Sequence, residues 1–327
     1  MALNISLLIK VLCACLLYII FPGNITGQSA TPGNPLMADP TILFHKDLYY
    51  LYGTGGGNHD DGFKVFTSKD RIHWRDGGYV LRKGEAFGTK GFWAPQVFEY
   101  NKKFYMAYTA NEQIAIASAE TPMGPFRQKN LAPLSSKVRM IDPFILIENN
   151  HVYLYHVRLE NGNRIFVADL NKDLTAVDES SLSECIHAEP GWEDTRNAEW
   201  KVAEGPTVVR RGKWYYLFYS ANDFRNPDYA VGYATAVSPR GPWEKNPANP
   251  IISEKLIGVP GTGHGDVFSL GNGHIGYVFH THFKAEKVSP RKTAVVELTF
   301  KKQKSDPDEV KIRPGTFYYL QLESGSK

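Results

Sequence analysis

The sequence predicts an all-β chain folded as a five-bladed β-propeller in a single domain. Three observations lead there. Five segments repeat one layout, a further apolar strand follows each, and no stretch shows the period of an amphipathic helix. The segments are ADPTILFHKDLYYLYGT (Ala38 to Thr54), WAPQVFEYNKKFYMAYT (Trp93 to Thr109), IDPFILIENNHVYLYHV (Ile141 to Val157), AEGPTVVRRGKWYYLFYS (Ala203 to Ser220) and GHGDVFSLGNGHIGYVFH (Gly263 to His280). Anchored at Asp39, Ala94, Asp142, Glu204 and His264, they lie 48 to 62 residues apart, a spacing that suits blades of three or four antiparallel strands.

Each segment opens on a small or polar residue, often before Pro, and continues as a short apolar run. Polar turns follow (HKD, YNKK, ENN, RRGK, GNG), each leading into an aromatic-rich second strand. The third strands are FKVFTSKD, IAIASAE, RIFVADL, YAVGYATAV and TAVVELTF, and weaker fourth strands are placed at GYVLRK and NPIIS. The tail KIRPGTFYYLQL (Lys311 to Leu322) is expected to add a closing strand. An aromatic content of 13 %, with 18 Tyr and 18 Phe, suits strands and a surface able to stack on ring-shaped ligands.

Ahead of the repeats, residues 1–30 read as a secretory signal. One Lys precedes an apolar run from Val11 to Phe21, and small and polar residues follow, with cleavage expected near Gly27 to Ala30. Leu12-Cys13-Ala14-Cys15 faintly resembles a lipoprotein signal, but the apolar run continues past Cys15, so simple export, periplasmic or extracellular, is the expectation. The run is too short for a comfortable membrane span. Cleavage would leave Cys185 alone, without a disulfide framework, and residues 31–327 as the propeller domain. A net charge of +3 on 327 residues gives no reason to expect nucleic acid or an anionic membrane as partner.

In a propeller the first strand of each blade lines the central channel, so equivalent starting positions converge on the axis. Here they bring together Asp39, Asp142 and Glu204, with His264 from the fifth blade and Ala94 beside Trp93 from the second. The stretch VAEGPTVV shows the oddity: a glutamate among Val and Ala is costly to desolvate unless it is paired, neutralised or used. Carboxylates sharing a cleft raise one another's pKa unless they take different roles, which is the arrangement acid/base chemistry needs. With no nucleophile motif, phosphate loop or His/Cys metal spacing in the sequence, the three acids point to glycoside hydrolysis.

ADP at Asp39, WAP at Trp93, IDP at Asp142, EGP at Glu204 and GHG at His264 resemble the signature set of glycoside hydrolase family 43, five-bladed propellers that include arabinofuranosidases, arabinanases and xylosidases. The phrases SKDRIHW, AETPMGPF and AVSPRGPW resemble its blade ends, so the likeness spans essentially the whole exported chain. It implies inverting hydrolysis, with Asp39 as general base, Glu204 as general acid and Asp142 as the residue that orients the acid and tunes its pKa. It also implies a sugar platform at Trp93, a sugar-binding arginine at Arg291, and at His264 a residue on the axis beside substrate that helps hold a water-coordinated cation, commonly calcium. Plain readings compete: a core Trp, a solvated loop Arg, a hydrogen-bonded core His, and an Asp266 that simply begins a strand. His280 and His282 in FHTHF share a strand face but suggest no third metal ligand.

No cofactor is required for the chemistry, and the expected partner is a plant cell-wall glycan containing arabinose or xylose, met by a monomer. Many xylosidases of the family carry a large C-terminal β-sandwich; this chain ends soon after the fifth blade, which tilts the expectation towards α-L-arabinofuranosides over β-D-xylosides. A propeller lectin that has lost catalysis is the reading from another class, and a lectin has no need of a paired acid and base. Endo or exo action depends on loops such as GTGGGNHDDG (Gly53 to Gly62) and AEPGWEDTRNAEW (Ala188 to Trp200).

Overall fold

The structure, a computed structural model, describes residues 33–55, 60–304 and 306–323. The signal segment at residues 1–30, with Cys13 and Cys15, lies outside the described residues. The described residues form one compact unit. Blade one is β1 (Met37–His45), β2 (Leu48–Gly55), β3 (Gly62–Ser68) and β4 (His73–Arg82). Blade two is β5 (Trp93–Tyr100), β6 (Lys103–Ala110) and β7 (Gln113–Ala119). Blade three is β8 (Met140–Glu148), β9 (His151–Leu159), β10 (Asn163–Leu170) and β11 (Val177–Ile186). Blade four is β12 (Ala203–Arg211), β13 (Trp214–Ala221), β14 (Ala230–Ala236) and β15 (Glu244–Lys245), followed by the one-turn helix α1 (Glu254–Ile257). Blade five is β16 (Gly263–Gly271), β17 (His274–Thr281), β18 (Lys292–Lys301) and β19 (Glu309–Ile312). Within each blade, successive strands pair antiparallel, as short polar turns require. Among the described residues no helix is long and apolar enough to cross a membrane.

The outer strands depart from expectation. Blade two has three strands, with a single bridge, Ser118 to Arg127, at the fourth place. Pro122, Pro125 and Pro133 deprive that stretch of the N–H groups a ladder needs. NPIIS is not the fourth strand of blade four either; Glu244–Lys245 takes that place, and Ile252 makes only a bridge to Val231. There the Asn249 side chain substitutes for a strand, accepting from Tyr233 N–H at 3.1 Å and donating to Tyr233 C=O at 2.9 Å.

The tail is broken by Pro314 and Gly315 into β19, β20 (Tyr318–Tyr319), which pairs with β18, and β21 (Gln321–Leu322). β21 lies parallel to His73 and Trp74 of β4, so the end of the chain ties blade five to blade one. The start of the described chain does the same: Thr293 N–H donates to Asn34 Oδ1, and Asn34 Nδ2 donates to the carbonyls of Thr293 and Leu320. Between blades the core is aromatic, with Trp74, Tyr52, Tyr108, Tyr155 and Tyr216 among the largest fully buried side chains.

Each innermost strand carries a bulge at its start. The ladder skips between Ala38 and Thr41, Trp93 and Gln96, Ile141 and Phe144, Glu204 and Thr207, and Gly263 and Gly265. At the bulge one residue per blade turns left-handed: Asp39 (φ 49°), Ala94 (44°), Asp142 (55°), Gly205 (61°) and His264 (42°). This corrects the register expected from the sequence. The blade-four partner of Asp39 and Asp142 is Gly205; Glu204 matches Ala38, Trp93 and Ile141, one residue earlier.

The left-handed residues have buried backbone N–H groups, and the preceding blade's second strand accepts four of them. Ala94 N–H donates to Thr54 Oγ1 (3.0 Å), Asp142 N–H to Thr109 Oγ1 (2.9 Å), His264 N–H to Ser220 Oγ (2.7 Å) and Asp39 N–H to His280 Nδ1 (3.2 Å). Blade three has Val157 at this place, and Gly205 N–H donates instead to Asp142 Oδ2 at 3.2 Å. The five bonds close a ring around the axis. Thr109→Val keeps shape but orphans the buried Asp142 N–H, so thermal or urea denaturation should show a loss of about 1–3 kcal/mol. An unchanged midpoint would mean the ring does not stabilise the fold.

Candidate active site

The bulges sort the strand starts into two tiers. Ala38, Trp93, Ile141 and Glu204 face a cleft of about 720 Å³ at the mouth of the axis. Asp39, Asp142 and His264 line both this cleft and a small axial hollow of about 30 Å³ beneath it, while Ala94 and Gly205 line the hollow alone. All three expected acids are therefore present, buried together, with Glu204 entering from the upper tier. Trp93 and Arg291 also line the cleft.

Asp39 sits beside a guanidinium, two imidazoles and a hydroxyl donor. Arg291 Nη1 and His264 Nδ1 each lie 3.4 Å from Asp39 Oδ1, His280 Nδ1 is at the same distance, and Thr54 Oγ1 donates to Oδ2 at 2.5 Å. Burial alone would raise this carboxyl; Arg291, then the two histidines and the Thr54 bond, outweigh it and hold Asp39 well below the usual carboxylate range. Arg291 is itself held over the Phe224 ring, 4.6 Å from its centroid. His280, placed by the sequence only as ring packing or a hydroxyl contact, joins this network, and burial keeps it well below the usual histidine value. His282 Nε2 faces Phe224 C=O at 2.8 Å and so supports the same wall.

Among the described residues no cation forms an ion pair with Glu204, and Arg225 acts on it only from a distance. Tyr229 hydroxyl donates to Oε1 and Asn163 Nδ2 to Oε2, both at 2.8 Å. Burial dominates and pushes Glu204 up to about 7; the two donors pull it down, and the charges of Asp39 and Asp223 push it up. Asp142 is itself raised well above the carboxylate range, by burial first and then by the charges of Glu204 and Asp39, so the Asp142 and Glu204 carboxyls act on one another. Asp142 and Glu204 titrate as a pair whose direction is upward for both. Asp142 is tied to the acid's own backbone by the Gly205 N–H bond.

Sequence reasoning missed Asn163 and Tyr229. The ladders show that both are equivalent to Arg291: each lies two residues before the third-strand residue paired with Val157, Ser220 or His280. Aligning the third strands residue by residue on Arg291, two before TAVVELTF, would have reached Asn163, just before RIFVADL, and Tyr229, the first residue of YAVGYATAV.

The calcium implied at His264 would be held through water, and the polar side chains around the hollow beneath it are bonded within the protein. Asp266 accepts from Thr41 and Thr207 hydroxyls at 2.6 and 2.5 Å and from Val267 N–H, and Gln96 is bonded to the backbone of Ile145. Among the described residues no group of three His, Cys, Asp or Glu could hold a metal ion. His264 instead bridges two acids, its Nδ1 being 3.4 Å from Asp39 and 3.9 Å from Asp142.

Two carboxyls shifted to opposite sides of their ordinary range in one cleft are the equipment of a glycoside hydrolase. Residues 33–304 match the profile of glycosyl hydrolases family 43, and the chain belongs to that family of glycosidases. A solved structure described as an endo-1,4-beta-xylanase from Bacteroides thetaiotaomicron is 39 % identical, with a TM-score of 0.83, covering 90 % of this chain and 99 % of that one. A beta-D-galactofuranosidase of Aspergillus niger is 23 % identical, covering 84 % of each chain. An extracellular exo-alpha-(1->5)-L-arabinofuranosidase of Cellvibrio japonicus is 26 % identical over 56 % of this chain, which spans 58 % of that relative.

In carboxyl-labelled NMR, Glu204 should titrate near pH 7 while Asp39 stays ionised below the ordinary carboxylate range, and Glu204→Gln should delete the near-neutral step. A Glu204 midpoint at the ordinary value of about 4.3 would contradict a site governed by burial.

Proposed function

We propose that this glycosidase cleaves its substrate in a single displacement with inversion, and that the substrate is an α-L-arabinofuranoside of plant cell-wall glycan. The observation that carries the mechanism is the division of charge: Asp39 is held ionised, while Glu204 keeps its proton up to about pH 7. Asp39 takes a proton from water as the water oxygen bonds to the anomeric carbon. The glycosidic C–O bond breaks on the opposite face, and Glu204 gives its proton to the leaving oxygen. Asp39 ends protonated and Glu204 ionised; exchange with solvent resets both. Asp142, through the Gly205 N–H, holds the strand that carries the acid, and its own carboxyl adds repulsion whenever it ionises. Trp93 offers a ring for the sugar face and Arg291 a donor for its hydroxyls.

Arabinofuranosidase names among the curated relatives support the substrate. A second reading, cleavage of β-D-xylosides, is favoured by one observation: the neighbour at 39 % identity carries the name endo-1,4-beta-xylanase. The apolar run from Val11 to Phe21 supports an exported enzyme, which meets wall glycans outside the cell.

Aryl α-L-arabinofuranoside should be turned over faster than aryl β-D-xyloside; the reverse order establishes the second reading, and turnover of neither favours a binding protein. Asp39→Asn should lower turnover by about two to four orders of magnitude. Proton NMR should show the inverted anomer first; retention would require a nucleophile and remove Asp39 as base. Glu204→Gln should lose most on poor leaving groups and little on a very acidic phenol, with the fall of kcat/KM above about pH 7 abolished. Equal losses on both would mean that Glu204 is not the acid.

A further inference from the structure

The loop Ala188 to Trp200 ends in an indole that is 47 % exposed, although the loop beneath it is firmly held. Buried Glu193 accepts from the Tyr219 hydroxyl, from Lys245 Nζ at 2.6 Å and from Glu189 N–H at 2.7 Å. Asn222 donates to Trp192 C=O at 2.7 Å and accepts from Thr195 N–H at 3.0 Å, and Ala198 N–H donates to Asp194 at 2.8 Å. The exposure of so large a ring therefore belongs to a built rim rather than a loose one. Trp200 lines the main cleft and also a second hollow of about 260 Å³, which shares Val202, Asp223 and Arg225 with it.

Trp200 also reaches the acid. Its Nε1–H donates to Asn163 Oδ1 at 2.8 Å, and Asn163 Nδ2 donates to Glu204 Oε2 at 2.8 Å. An indole N–H is only a donor, so the Asn163 atom facing it must be oxygen and the NH2 must face Glu204. The indole thus sets which way the amide points. Because the acid protonates the leaving oxygen, the leaving sugar must sit on the Glu204 side, where Trp200 offers a flat apolar face.

We propose that Trp200 does two things at once: its ring is the platform for the leaving-group sugar, and its N–H, through Asn163, positions Glu204. This rests on the reading of Glu204 as general acid. Trp200 is a positioning residue for the chemistry and a contact residue for the substrate. It follows that the enzyme recognises a leaving group made of sugar rather than only the sugar it releases from the end.

The test compares an arabino-oligosaccharide with arabinofuranosyl fluoride (or the xylose counterparts, if xylosides are the substrate), because fluoride neither stacks nor needs a full proton. Trp200→Phe keeps a ring and loses the N–H. It should leave the oligosaccharide KM within about twofold and lower its kcat about tenfold, the scale of one lost hydrogen bond. Freed from the Asn163 donor, Glu204 should also show a basic limb moved to higher pH. Trp200→Ala should in addition raise the oligosaccharide KM about tenfold. Both variants should cleave the fluoride as the native enzyme does and melt at the native temperature. A Trp200→Phe enzyme with native kcat and basic limb, or a Trp200→Ala enzyme equally impaired on both substrates, overturns the proposal. Glu204→Gln, run alongside, separates the two failures: equal loss on fluoride and oligosaccharide there would remove the acid itself, whereas silent Trp200 variants beside a selective Glu204→Gln would remove only the inference.

Discussion

The structure depends on one constraint: five left-handed backbone turns at the axis, each with a buried N–H that must find an acceptor. A buried unpaired N–H costs as much as a lost hydrogen bond or more. Thr54, Thr109, Ser220 and His280 meet that need across four blade boundaries, the last joining the fifth blade to the first. At the remaining boundary Val157 has nothing to offer, and the acceptor is Asp142 itself. One acidic side chain is thereby committed to the fold and to the acid at once. Closure of the propeller and assembly of the cleft are the same event at the level of these bonds, and the terminal ties through Asn34 and β21 reinforce it from outside.

The division of labour between the carboxyls follows from which side chains stand at the entrance of the third strands. Blade five supplies Arg291, so Asp39 has a guanidinium within reach and is held ionised. Blades three and four supply Asn163 and Tyr229, neutral donors that orient Glu204 without a charge to pull its proton off. Burial is the largest influence on both carboxyls; the partner at one repeated position decides whether it wins. The repeat thus supplies equivalent places, and differences in chemistry between those places make a site.

The repeat itself was legible in the sequence, because Pro, turn and aromatic signals recur in order, and the innermost strands lie where ADP, WAP, IDP and EGP put them. The register of the fourth blade was not read correctly. Lining up acids made Glu204 the partner of Asp39, whereas lining up the prolines, Pro40, Pro95, Pro143 and Pro206, gives Gly205. In a strand, a slip of one residue moves a side chain to the other face, so the difference decides which tier it enters. Outer strands were misread where a side chain such as Asn249 does the work of a backbone, which no hydrophobic pattern records. Trp200 belongs to a loop without periodicity, and its link to Glu204 runs through a residue far along the chain.

The shifted position of the acid has a local cause. His264 lies over the start of blade four, and a Cβ placed on residue 205 would stand 2.8 Å from its Cδ2. That approach excludes any side chain there, apart from the left-handed φ that already favours glycine. A carboxyl from blade four can therefore come only from the residue before, on the tier that faces the cleft. It comes on a glutamate, one methylene longer than the two aspartates below. The same imidazole that leaves room for nothing but hydrogen at 205 also stands between Asp39 and Asp142. His264 thus sets the acid's level in the cleft by its bulk while it contributes to the ionisation of Asp39 by its ring nitrogen.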